Sequence, residues 1–129
     1  MVKNFDIRRI PGSFRFAARG IWHVLRSEQN LQIHLIATIA AITLAVLFRV
    51  STIELALILL AIGFVLASEI LNTVIEDFLD IIHPQHHESI RRIKDALAGA
   101  VLLAALIAIT VGCLIFGPHV VAALEGRGL

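Results

Sequence analysis

The sequence predicts an all-α membrane protein, with three transmembrane helices preceded by an amphipathic surface helix. Hydrophobic residues make up 58% of the 129 residues, above the usual share in a soluble domain. Two runs carry no charged side chain, residues 31–48 and 96–116, and each is long enough to cross about 30 Å of hydrocarbon. A third apolar run, residues 55–67, passes directly into an acidic segment. We expect residues 1–129 to form one domain.

The predicted surface helix covers residues 1–28, a segment that contains six basic side chains. After a turn at Pro11-Gly12 and an N-cap at Ser13, apolar residues recur at helical spacing, with arginines largely on the opposite face. We expect this helix to lie in the membrane interface, with its arginines at anionic headgroups and Trp22 at the level of the lipid carbonyls. Packing against a partner or against the protein's own core is the alternative.

The three spans follow from the apolar runs and from the breaks between them. A short polar connection separates the first two, and His83-Pro84 ends the second, because proline lacks a backbone donor and disfavours a helical residue before it. Gly117-Pro118 is predicted to close the third span. The expected ranges are 31–49, 53–82 and 95–117.

The positions of the basic residues predict the orientation of these spans. The N-terminal segment and the polar loop at residues 83–95 are rich in arginine and lysine, whereas the connection at residues 49–54 and the C-terminal tail hold one basic residue each. The positive-inside rule therefore puts the N-terminus and the second loop in the cytoplasm. A formal net charge of +1 gives no indication of a nucleic-acid partner.

Small residues recur at every fourth position in the first and third spans, which lets helix backbones approach closely and favours association, including association between chains. Alanine is also common in apolar spans, so this interpretation stays open. The residues are Ala37, Ala41 and Ala45 in the first span and Ala96, Ala100, Ala104 and Ala108 in the third.

The segment of residues 68–80 carries the candidate chemistry. On a helix that turns 100° per residue, its polar side chains form one stripe. Glu69 and Glu76 in that stripe lie about 10 Å apart along the axis, so one carboxylate could act on a substrate while the other holds a cation. An ionisable residue at membrane depth indicates a functional site. The stripe consists of Glu69, Asn72, Thr73, Glu76 and Asp80.

The spacing E-x2-N-x3-E-x3-D in this stripe, followed by Lys94-Asp95 in KDALAGAVL, resembles the small prokaryotic membrane lipid kinases of the diacylglycerol kinase and undecaprenol kinase family. The resemblance covers the chain up to about Gly117. It implies a homotrimer of three-helix subunits with a surface helix in the bacterial plasma (inner) membrane, with ATP and Mg²⁺ used at sites shared between neighbouring subunits. Upstream it includes Phe16, Arg19, Gly20, Glu28, Asn30 and His34.

The same resemblance implies individual roles. The residue matching Glu69 is the general base for the lipid hydroxyl, and those matching Glu28 and Glu76 bind the metal that accompanies the nucleotide. Asn72 lies beside the base, and Ala98 falls in the lipid-substrate region. Contacts with nucleotide or substrate are implied for Arg9, Phe16, Arg19, Gln85, His86, His87, Lys94 and Asp95.

The residue inventory suits phosphoryl transfer, which needs a divalent cation, a cationic phosphate contact and a base that orients the attacking hydroxyl. Neither a P-loop nor a protein-kinase motif occurs in the sequence. A non-enzymatic oligomer that conducts cations or protons past Glu69 and Glu76 is a rival, but residues 55–67 are apolar and offer no polar path. A structural subunit that binds no ATP is a further alternative.

For the lipid, we expect undecaprenol in preference to diacylglycerol, with activity on both left open. The Glu28-x-Asn30-x3-His34 pattern, Ala98 after Lys94-Asp95 and the Pro84 loop resemble the undecaprenol kinase branch more than the enterobacterial diacylglycerol kinase branch. A polyprenol presents a plain primary alcohol on a long chain, which a groove of Ile, Leu and Ala would bind by apolar contact alone.

Overall fold

The computed structural model describes residues 10–83 and 87–126, and the chain is helical there apart from short connections. Three of its helices are long and apolar enough to cross a membrane, and no strand occurs in the described ranges, which confirms the predicted all-α membrane fold. In chain order the helices are α1 (Ile10–Ser27), α2 (Gln29–Leu47), α3 (Thr52–Ile82) and α4 (Glu88–Leu124).

Two predicted helix ends are wrong. Helix α1 begins at Ile10, before the expected N-cap Ser13, and proline and glycine are accommodated in its first turn, where a proline costs no intrahelical hydrogen bond. Helix α4 continues through Pro118 to Leu124 instead of closing at residue 117. A helix within a bilayer tolerates proline because neighbouring groups satisfy the freed carbonyl.

Helix α4 also begins seven residues earlier than the predicted third span, because the polar segment before that span is helical from Glu88. The His87 side chain caps this end, with its Nδ1 accepting a hydrogen bond of 3.2 Å from the Ser89 backbone N–H. A capped first turn explains how a polar segment that reads as a loop joins the helix.

The junction between α1 and α2 is a single residue. Glu28 adopts an extended backbone (φ −105°, ψ 115°) and is the N-cap of α2, without a capping hydrogen bond from its own side chain. The Gln32 side chain donates to the Leu25 carbonyl oxygen at 3.0 Å and ties the two helices together across the bend. Val24 and Leu31 are buried on either side of it. Glu28 is thereby held at the start of α2.

The core within one chain is small. Helix α3 packs against both α2 and α4, and the apolar cluster at the end of the bundle near the α2–α3 connection consists of Ala45, Ile58 and Ile115. Most large apolar side chains of the described residues are exposed, as they are on helices that face lipid or other chains.

Helix α1 has exposed aromatic residues beside arginines, and the Arg26 guanidinium lies 4.7 Å from the centroid of the Trp22 ring.

Candidate active site

Glu69 occupies the middle of α3 and is the largest fully buried side chain among the described residues, with 1% of its surface exposed. Its burial follows from helical periodicity, since Ile58, Val65, Glu69 and Thr73 are spaced seven, four and four residues apart and are the buried positions of α3. The face that buries the apolar core at one end of α3 therefore buries a carboxyl group further along.

The surroundings of this carboxyl come from the start of α2 and from the later turns of α3 itself. The Asn30 side chain on the first turn of α2 lies close to it, and three more groups are near enough to interact with it electrostatically, namely Glu28, His34 and Glu76. The structure thus brings together the three acids to which the sequence analysis gave a chemical role. These acids, with Asn30, His34 and Asn72, are called the Glu69 cluster below.

Two oxygen atoms in this cluster lack partners. Oε2 of Glu69 and Oδ1 of Asn72 are buried and accept no hydrogen bond from residues 10–83 or 87–126. A buried polar group left unsatisfied costs about 1–3 kcal/mol, and more when it is charged. Both atoms are acceptors one helical turn apart, so they suit a ligand that brings hydroxyl donors or a hard cation.

Glu28 and Glu76 offer the other carboxylates, and both are half-buried. Glu28 sits at the positive N-terminal end of α2. Within the part of the chain that the structure describes, no group of three or more His, Cys, Asp or Glu side chains is arranged to hold a metal ion. Mg²⁺ commonly takes one or two protein carboxylates and completes its shell with phosphate and water, so two carboxylates are enough in number for an ion shared with a nucleotide.

Lys94 lies at the same end of the bundle, where its Nζ is 2.5 Å from Oδ1 of Asp80. This ion pair joins the second turn of α4 to the last turn of α3. Asp95, the residue that follows Lys94, is exposed. The His87 side chain is occupied as the cap of α4. In this structure, therefore, Lys94 and His87 already have partners within the chain, and each would have to exchange its partner to contact a nucleotide.

The other residues implied by the resemblance are not gathered around Glu69 in the same way. Phe16 and Arg19 are exposed on α1, with the Arg19 guanidinium 5.8 Å from the centroid of the Phe16 ring, and Ala98 is exposed on α4. The remaining three, Arg9, Gln85 and His86, lie outside the described residues.

The sequence analysis gave no individual role to two residues that lie beside Glu69. Asn30 and His34 entered it only as part of the resemblance, yet both neighbour the Glu69 carboxyl. Their spacing of four residues puts them on one face of α2. That spacing was the available signal, but it does not reveal which helix the face meets.

A cavity of about 260 Å³ adjoins the cluster, between α2, α3 and α4. His34 and Val65 line its end nearest to Glu69, since Val65 lies one turn before Glu69 on the buried face of α3. The other described lining residues are apolar apart from Thr38. They are Ala37, Thr38, Ala41, Ile58, Ala61, Ile62, Ala105, Ala108, Ile109, Val111, Gly112 and Phe116.

Comparison with known proteins agrees with this picture. The sequence model of the family described as prokaryotic diacylglycerol kinase matches residues 15–116. The chain is 42% identical over 113 residues to an undecaprenol kinase of Bacillus subtilis (strain 168), covering 88% of this chain and 92% of that protein. It is 38% identical over 108 residues to a diacylglycerol kinase of Synechocystis, covering 82% of this chain and 62% of that protein. A diacylglycerol kinase of Escherichia coli (strain K12) is 32% identical over 84 residues, which are 65% of this chain and 69% of the relative.

Proposed function

Because this chain belongs to the prokaryotic diacylglycerol kinase family and is a membrane lipid kinase, we propose that it transfers the γ-phosphate of ATP to the hydroxyl of undecaprenol in a Mg²⁺-dependent reaction. The observation that carries the proposal is the Glu69 carboxyl, buried in a membrane helix with an unpaired oxygen. Family membership favours this reading over a conducting oligomer or a structural subunit.

The lipid is chosen on two grounds. The relative named undecaprenol kinase has the higher identity and is covered over nearly its whole length. The cavity beside Glu69 is almost entirely apolar, which suits a hydrocarbon chain better than a glycerol backbone with ester groups. Diacylglycerol, the substrate in the names of the other two relatives, is the alternative acceptor.

Glu69 acts as the general base in this proposal. The lipid hydroxyl donates a hydrogen bond to Oε2 of Glu69, and its oxygen attacks the γ-phosphorus in line with the leaving group. The new bond joins the lipid oxygen to phosphorus, while the bond from phosphorus to the β–γ bridging oxygen breaks and its electron pair leaves with ADP. The hydroxyl proton passes to the Glu69 carboxylate, and no phospho-enzyme forms.

The nucleotide lies at the cytoplasmic end of the bundle, with Glu28 and Glu76 holding the metal ion. When bound, Mg²⁺ neutralises charge on the β- and γ-phosphates. Lys94 exchanges Asp80 for a phosphate oxygen, and Asp95 adjoins it. The further contacts proposed for the nucleotide come from Arg9, Phe16, Arg19, Gln85, His86 and His87, and Asn72 and Ala98 are proposed on the lipid side.

We extend the proposal to assembly and orientation. The exposed aromatic residues and arginines of α1 support a helix in the cytoplasmic interface of the bacterial plasma membrane, with the N-terminus and the loop at residues 83–95 on the same side. Ala45 and Ala104 are buried within one chain, whereas Ala96 and Ala100 are exposed. Exposed small residues leave room for a neighbouring helix, which supports association between chains. We propose a homotrimer on the basis of the family resemblance.

A direct assay tests the proposal. The purified protein in mixed detergent–lipid micelles, supplied with ATP and Mg²⁺, is expected to produce ADP and phosphorylated undecaprenol in equal amounts. Omission of the lipid should stop ADP formation, because no phospho-enzyme accumulates. A failure to phosphorylate either undecaprenol or diacylglycerol would contradict the proposed reaction.

A further inference from the structure

The apolar cavity and the Glu69 cluster meet at one side chain. His34 lines the cavity and also lies close enough to the Glu69 carboxyl to interact with it electrostatically. Val65 supports the same placement, because it lines the cavity one turn before Glu69 on the buried face of α3. A molecule that reaches from the cavity to Glu69 therefore passes the half-buried imidazole of His34.

The cavity contains little else that could recognise a polar group. Among the described lining residues, Thr38 is the only other polar one, and its hydroxyl donates to the His34 backbone carbonyl oxygen at 2.8 Å within α2. The His34 imidazole makes no hydrogen bond to another side chain or backbone group in the described ranges. The ring nitrogens of His34 are therefore free to donate and accept hydrogen bonds beside the cavity.

On the basis of the proposed function, we infer that His34 is a specificity-determining residue of the kinase. Its imidazole positions the lipid hydroxyl against Glu69 and favours alcohols that carry only hydrocarbon next to the carbon that bears the hydroxyl. The occupant of the cavity is the part of a polyprenol chain nearest to the hydroxyl.

The selectivity follows from what the cavity lacks. A diacylglycerol carries ester carbonyls within a few bonds of its hydroxyl, and these acceptors would lie against described walls of mostly Ala, Ile, Val and Phe, where the Thr38 hydroxyl already donates to the His34 carbonyl oxygen. Leaving acceptors unsatisfied in a desolvated site disfavours binding. A polyprenol places only hydrocarbon there, so its hydroxyl can rest on the His34 ring beside Glu69. A diacylglycerol that its esters keep out of the cavity does not settle against this ring and gains little from it.

Three substitutions test this role. We expect His34→Ala to lower kcat/KM for undecaprenol and to change kcat/KM for dioleoylglycerol much less, so that their ratio falls by about tenfold or more. His34→Leu keeps apolar bulk and should lower the ratio in the same direction, which covers the case in which the alanine variant does not assemble. His34→Gln retains a side-chain donor and acceptor and should restore part of the preference. The KM for ATP should stay near that of the unmodified protein in all three.

The matched control is Thr43→Ala on the same helix, where an exposed hydroxyl donates only to the Ile39 carbonyl oxygen at 2.8 Å. It should leave the ratio unchanged. An unchanged ratio in His34→Ala and His34→Leu, or an equal loss with both lipids that His34→Gln does not restore, overturns the inference while the kinase assignment stands. If the unmodified protein phosphorylates neither lipid, the proposed function itself fails.

Discussion

The Lys94 ammonium and the Asp80 carboxylate form an ion pair, with Nζ 2.5 Å from Oδ1, between the second turn of α4 and the last turn of α3. The two side chains are 30% and 63% exposed, and pairs as accessible as this contribute less than about 1 kcal/mol to stability. The pair therefore matters more for where it holds Lys94 than for the stability of the bundle.

Removing Lys94 and removing Asp80 should have different effects on the KM for ATP. Lys94→Gln removes a cationic phosphate contact, and we expect it to raise the KM for ATP by about tenfold or more. Asp80→Asn releases Lys94 from its partner, so the KM for ATP should stay the same or fall. Glu88→Gln is the control, since it breaks the exposed pair with Arg92 (2.8 Å) on the same helix and should leave the KM unchanged. An equal rise in KM in both Lys94→Gln and Asp80→Asn would show that the pair is needed intact.

Glu69→Gln should abolish most turnover without loss of the fold. Glutamine fills the same space but cannot take the hydroxyl proton, so kcat should fall by about 100-fold or more. The KM for ATP and the thermal unfolding temperature in detergent should be preserved, because the variant removes a buried charge that has an unpaired oxygen. Asp77→Asn, at an exposed position on the same helix, is the matched control. Full activity of Glu69→Gln would rule out its role as the base.

Glu28→Gln and Glu76→Gln should each raise the Mg²⁺ concentration needed for half-maximal activity. Each variant replaces a carboxylate by an amide, which is a weaker ligand for a hard cation. Mg²⁺ titrations at fixed ATP and lipid measure the shift, and excess Mg²⁺ should restore part of the activity. If the loss is the same at every Mg²⁺ concentration, these side chains do not hold the ion.

The membrane spans were predictable because hydropathy over a long run leaves few alternatives, as in residues 31–48. The ends of the helices were less predictable. Pro118 was expected to end α4, but the helix continues to Leu124, since a proline in a membrane helix is tolerated when nearby groups compensate for the lost donor. The start of α4 depends on the cap formed by His87, a side-chain contact that the pattern of a polar segment does not reveal.

The acidic stripe was predicted as one polar face, and the structure divides it. Glu69 and Thr73 are buried, whereas Asp80 is exposed. Helix α3 extends about three and a half turns beyond Glu69, but α2 begins only one residue before Asn30, which lies close to the Glu69 carboxyl. Burial along α3 is therefore set by where its neighbour begins, which is a tertiary property that periodicity cannot supply.

The orientation in the membrane can be tested with single cysteines. In a Cys113→Ala background, we expect Thr52→Cys to react with a membrane-impermeant maleimide on intact cells and Ser89→Cys to react only after permeabilisation. Both positions are exposed at opposite ends of the bundle, near the two connections of α3, and the positive-inside rule puts the second connection in the cytoplasm. The reverse labelling pattern would invert the topology and remove the proposed access of Glu69 to cytoplasmic ATP.

The lipid preference can be measured with the unmodified protein. We expect a higher kcat/KM for undecaprenol than for dioleoylglycerol in the same micelles, because the described walls of the cavity beside Glu69 are mostly apolar and suit hydrocarbon better than esters. At about 260 Å³ the cavity is slightly smaller than typical ligand pockets, so it encloses only the chain nearest to the hydroxyl, and the rest stays among lipid tails. A shortened polyprenol with the same first isoprene units should therefore keep most of the kcat/KM of the full chain. A preference for diacylglycerol of more than about tenfold, roughly 1.4 kcal/mol of transition-state discrimination, would reverse the choice of lipid and leave the kinase assignment intact.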